Sequence, residues 1–79
     1  MLVKANQTFR VTKTAPINSQ KGAIMPGGTV RTMTHPESKN GVDTIMVRYS
    51  GTGARGEADT GTKFRMRVPD LARLTTPAK

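Results

Sequence analysis

Phe64-Arg65-Met66-Arg67-Val68 alternates apolar and cationic side chains at every step. Successive side chains of a strand point to opposite faces, so a period of two marks a strand with one face on a core and the other in water. Pro69 to Leu74 follows directly and reads as one helical turn. Asp70 is its expected cap, and Leu71 and Leu74 share a face at spacing three. Working outward, Ile45-Met46-Val47-Arg48-Tyr49 and Phe9-Arg10-Val11-Thr12 repeat the alternation, although Met46 blurs the outer face of the first. Val30 to Thr34 is a weaker strand candidate, and a short final strand is expected near Leu74 to Thr76. Twelve threonines reinforce the strand reading, because β-branched residues suit a pleated, half-buried surface.

The connections carry turn chemistry. Pro26-Gly27-Gly28 precedes the second strand, and Asn40-Gly41 is the dipeptide of a tight hairpin. Gly51 to Gly61 is too rich in glycine and small residues to be other than a loop, expected to be mobile. All five prolines lie outside the alternating runs, where a missing backbone donor does no harm.

Seventy-nine residues make one domain or a subunit of something larger. Thirteen Lys and Arg against five Asp and Glu leave a net charge of +8. The first 36 residues hold five basic side chains and no acid. Without cysteine, a disulfide framework, a thiol nucleophile and a cysteine-ligated zinc module are excluded. No apolar run approaches the roughly 18 residues of a membrane span, and the N-terminal residues lack a signal-peptide pattern, so a cytoplasmic protein without membrane contact is expected. Leu, Ile, Val and Phe supply only 14 of the 79 residues, a fraction associated with disorder at this charge. The clean alternation argues for folding, and so thin a core points to help from a partner or a homo-oligomer.

The order of strand, long loop (Thr14 to Gly28), three meandering strands and a Val68-Pro69-Asp70-Leu71 turn before a last strand resembles the SH3-like small barrel superfamily over residues 7–76. The resemblance implies an all-β fold: a small five-stranded SH3-like barrel with one short helical turn before the last strand. Residues 1–79 would be one domain, with 1–6 and 77–79 as tails. The peptide-binding aromatics of signalling SH3 domains are missing, so their ligand groove does not transfer. Plasmid-borne type II dihydrofolate reductases are similar barrels of nearly this size that build one active pore from four copies. Where they carry a Val-Gln-Ile-Tyr segment, this chain has Arg65-Met66-Arg67-Val68, so no functional residue transfers from them either.

If Phe9, Val11, Val47, Tyr49, Phe64, Met66 and Val68 face inward, then Arg10, Arg48, Lys63, Arg65 and Arg67 face outward. Neighbouring strands would place Arg48 beside Arg65 or Arg67. Like charges facing each other on a sheet cost stability unless an anion covers them, and the planar guanidinium reaches two phosphate oxygens. These five are the candidate phosphate-binding residues, with Lys13, Arg31 and Arg55 as rim contacts. The plain alternative is a solvated outer face. The expected partner is nucleic acid bound through its backbone without sequence preference, since no recognition helix or zinc-finger spacing exists. Tyr49 is the one aromatic considered for base stacking. The alternative partner is an acidic protein surface, with the chain as an interaction or assembly module. The superfamily resemblance associates such small basic barrels with accessory proteins of phages and mobile elements.

Other motifs carry less. Gly51-Thr52-Gly53-Ala54-Arg55-Gly56 matches Gly-x-Gly-x-x-Gly, but Glu57-Ala58-Asp59-Thr60-Gly61 does not begin the helix that a dinucleotide needs. Glu57 and Asp59 read as a locally acidic, solubilising patch, with a magnesium pair as the alternative. His35 is the single histidine and reads as a turn residue. Met66 reads as core, Met46 as an exposed contact, and Met25 and Met33 as core or interface. No catalytic constellation, cofactor or metal site is expected, and the protein reads as a non-enzyme.

Overall fold

The computed structural model describes residues 3–17 and 22–78. In chain order they form β1 (Thr8–Val11), β2 (Ala15–Pro16), β3 (Ala23–Ile24), β4 (Thr29–Thr32), β5 (Glu37–Lys39), β6 (Val42–Ser50), β7 (Lys63–Arg67), α1 (Val68–Leu74) and β8 (Thr75–Pro77). The fold is all-β with one helix.

The nine-residue β6 is the spine of a curled, half-barrel sheet. One of its edges carries β4, paired from Thr29↔Ser50 to Thr32↔Val47, and then β5, paired from Glu37↔Thr44 to Lys39↔Val42. The register advances by two residues between these pairs, so the break at residues 33–36 bends the sheet. The other edge carries β7, with Ile45↔Met66 and Val47↔Phe64 opposed. On the far side of β4 lie β1 and then β8, all antiparallel. The two outer strands β7 and β8 do not pair; α1 spans the gap between them.

Alternation decides which side chains fill the interior. Phe9, Val11, Val47, Tyr49, Phe64 and Met66 are buried as the period of two requires, joined by Val30, Ile45, Ile24, Leu71 and Leu74. Val68 departs from the expected inward strand set: the strand ends at Arg67, and Val68 opens the helix, partly buried. Pro69 ends the ladder, because it has no N–H to pair, and its ring suits the first helical turn. The helix runs for seven residues rather than one turn, and Asp70 does not cap it. The N-cap residue is Arg67, with no side-chain cap bond.

Three further strands were not anticipated. The two-residue β2 and β3 form a hairpin inside the long first loop, and β5 precedes the Asn40-Gly41 turn. Asn40 and Gly41 both take positive φ, 53° and 80°, as a two-residue hairpin of the primed type demands. Residues 3–6, expected as part of a tail, are packed down; the rest of that tail, residues 1 and 2, lies outside the described residues. Val3 is buried, and the fully buried Thr32 hydroxyl donates to Lys4 C=O and accepts from Gln7 N–H.

Candidate functional site

Directly opposed residues of neighbouring strands project to the same face, so the register alone maps the outer surface. Arg31 of β4 stands opposite Arg48 of β6, and Arg48 stands opposite Lys63 of β7. On the other side of Arg31 lies Thr8 of β1. The row one step along holds Thr76, Arg10, Thr29 and Ser50. These two rows contain four cations and no acid, and all four cations are exposed. Strands are about 4.8 Å apart, so Arg31, Arg48 and Lys63 form a line about 10 Å long across three strands.

The expected neighbours of Arg48 are therefore corrected. Arg65 lies opposite Met46 and Arg67 opposite Thr44, two and four residues further along β7. Both are exposed and both are engaged. Arg65 donates to the Thr44 hydroxyl at 3.1 Å and lies 3.9 Å from the Glu37 carboxylate. Arg67 donates to Asp70 at 3.0 Å, and Arg73 reaches the other carboxylate oxygen at 3.2 Å. Burial pushes the Asp70 carboxyl up, but the hydrogen bonds from Arg73 and Arg67 outweigh it and hold it below its ordinary value. Arg31 moves the other way, from an expected rim position into the row itself, next to Arg48. Arg10, Arg31 and Arg48 have no carboxylate within ion-pair distance among the described residues. Lys13 and Arg55 are exposed on loops, and no strand pairing ties them to the rows.

The Gly51–Gly61 segment is not free to wander. The Glu57 carboxylate accepts from the N–H groups of Thr52 at 3.0 Å and Ala54 at 2.7 Å, and from the Tyr49 hydroxyl. Tyr49 is completely buried, which removes it as a base-stacking platform. The same bonds use up the Glu57 oxygens that a magnesium pair with Asp59 would need. Gly51 to Gly56 leads into a turn and no helix, so the phosphate cradle of a dinucleotide site is not formed. Met46 is half-buried rather than fully exposed, Met33 beside it is 39% exposed, and Met25 is half-buried against Tyr49. His35 is exposed. No group of three or more His, Cys, Asp or Glu side chains is placed to hold a metal among the described residues. No helix among them is long and apolar enough to cross a membrane.

Two features of this site escaped the sequence reading, the first because no local signal exists. Arg31 gains its place from the register of β4 on β6, which depends on the bend at residues 33–36. The capture of Arg67 by Asp70 had a visible signal in their spacing of three, which the strand reading of Val68 obscured. Compared with protein-family models, with curated proteins and with solved structures, the chain matches none.

Proposed function

We propose that this protein is a non-enzymatic, SH3-like small barrel that binds the phosphate backbone of nucleic acid through its outer sheet face, without reading sequence. The observation that carries the reading is the unbroken row Arg31–Arg48–Lys63, with Arg10 in the adjacent row and no acid in either. Facing like charges costs the sheet stability, and an anionic strand laid across them relieves that cost. A duplex offers about one charge per 1.7 Å of its axis, so a row about 10 Å long meets several phosphates at once. The even spacing favours a polymer of regular charge over an acidic protein surface, whose carboxylates are irregularly placed. The strand order β7-β6-β4-β1-β8, with α1 before the last strand, supports the SH3-like assignment.

Fluorescence anisotropy with random duplex and single-stranded DNA and RNA, at about 0.1 M salt, tests this. Arg48→Glu and Arg31→Glu should each weaken binding about equally for every sequence and lower the salt slope by about one. Arg67→Glu should do much less, because Asp70 already occupies that guanidinium. No binding at roughly tens of micromolar protein ends the proposal, as this is within the range of non-specific affinity.

A further inference from the structure

A second feature lies at the edge of the sheet rather than on its face. Tyr49 N–H donates to Thr62 C=O, and Tyr49 C=O accepts from Gly61 N–H. Alternate residues of β6, Ile45 and Val47 included, therefore turn their main chain towards β7, where Met66 and Phe64 answer them. The N–H and C=O of Arg65 consequently point away from β6. No strand pairs with β7 on that side among the described residues.

Beside this edge lies a groove of about 300 Å³. Ile17, Ile24, Phe64, Met66 and Leu74 supply its apolar lining. Phe64, Met66 and Leu74 keep 6–9% of their surface here, whereas Val30, Ile45, Val47 and Leu71 keep none. Its rim carries Arg65, Arg67 and Arg73; Asp70 pairs with Arg67 and Arg73, and the Glu37 carboxylate lies 3.9 Å from Arg65, which leaves the rim with a net positive charge.

From the edge and the groove together we infer a docking site for an extended acidic peptide that adds a strand to β7. Such a segment would exchange main-chain hydrogen bonds with Arg65. Its residues facing the outer surface would lie beside Arg65 and Arg67, where Asp or Glu would compete with Glu37 and Asp70 for the two guanidinium groups. The alternate residues would point inward beside Phe64 and Met66, where Val or Leu fills the groove. The recognised pattern is therefore acidic–apolar–acidic at a period of two. A second copy of this chain is the wrong occupant, since pairing β7 with another β7 sets Arg65 and its neighbours against the same cations. This site is separate from the Arg31–Arg48 row, so each proposal fails on its own.

The probe is a short peptide alternating Glu or Asp with Leu or Val, followed by anisotropy against the intact protein. Two backbone-methylated versions block either the set of N–H groups that would face Arg65 or the opposite set. Blocking the set that faces Arg65 should weaken binding about tenfold, the worth of a lost buried hydrogen bond, and blocking the other set should not. Arg65→Ala should weaken the unmodified peptide, and Arg31→Glu should leave it unchanged. No binding of the unmodified peptide, equal binding by both methylated forms, or loss on Arg31→Glu alone would each overturn the inference.

Discussion

Tyr49 shows how much one side chain decides in so small a core. Its ring is wholly buried, and its hydroxyl donates to Glu57 and accepts from Met25 N–H at 3.1 Å. Backbone must come close to make this possible: a Cβ on Gly28 would lie 2.4 Å from the hydroxyl oxygen. Burial, reinforced by the bond to Glu57, pushes the Tyr49 hydroxyl up to about 12. The Tyr49 bond, aided by backbone N–H groups and opposed by desolvation, holds Glu57 below its ordinary value. Tyr49→Phe removes both hydroxyl hydrogen bonds while keeping the ring and should cost about 2 kcal/mol, a fall in Tm of roughly 8–16 °C for a domain of this size. The pH dependence follows from the signs. Glu57 and Asp70, both lowered, contribute stability that is present above the unfolded carboxylate range and lost as pH falls through their folded values. Tyr49, raised, contributes stability that is present below about 10 and lost as pH rises towards about 12. Melts followed by circular dichroism should thus show a plateau with an acid and an alkaline limb, and Glu57→Gln should flatten the acid limb. None of this was legible in the sequence. Tyr49 and Glu57 are eight residues apart across a glycine-rich turn, a spacing that no strand or helix period brings together.

Among the elements, those with a clean period were legible and those without one were not. Phe9–Val11, Ile45–Tyr49 and Phe64–Arg67 alternate because one face is core, and Asn40-Gly41 announced its own turn. Glu37-Ser38-Lys39 is exposed at every position, so β5 leaves no pattern to read. The strands of the β2–β3 hairpin are too short to show a period. That hairpin is fastened to the Gly51–Gly61 loop by Ala58 N–H donating to Ala23 C=O at 3.0 Å. Close approach at this point depends on Gly22, where a Cβ would lie 2.7 Å from the Ala58 Cα. Gly41 has the same left-handed φ but open space around it. Gly41→Ala should therefore cost about 1 kcal/mol of backbone strain. Gly22→Ala should cost clearly more, because a main-chain clash adds to the strain. Thermal melts of the two variants, read side by side, check the order; equal losses would mean the hairpin is not held against the loop.

At the scale of the whole molecule, a composition that verges on disorder nevertheless gives a Cα radius of gyration of 11.5 Å, close to the roughly 11.6 Å expected for a folded chain of this length. A charge of +8 spread over so small a body repels itself, and the facing Arg31, Arg48 and Lys63 concentrate that repulsion. Raising salt from about 10 mM to 200 mM shortens the screening length from about 30 Å to under 10 Å, so Tm should rise across that range. Arg48→Gln should raise Tm at low salt and shrink the salt effect; a Tm that falls with salt would show that attractive ion pairs dominate instead. The sequence by itself determined the all-β character, the main strands, the hairpin turn and, Val68 apart, which of their side chains face inward, because each follows from local periodicity or from one residue's backbone preference. Only the tertiary structure decided which cations stand together. Register between strands is set by the bend at residues 33–36 and by packing across the whole core, and a shift of two residues keeps every side chain on its face while changing every neighbour. That is why Arg31 joins Arg48 and Lys63 in one cationic row, while Arg67 is held by Asp70.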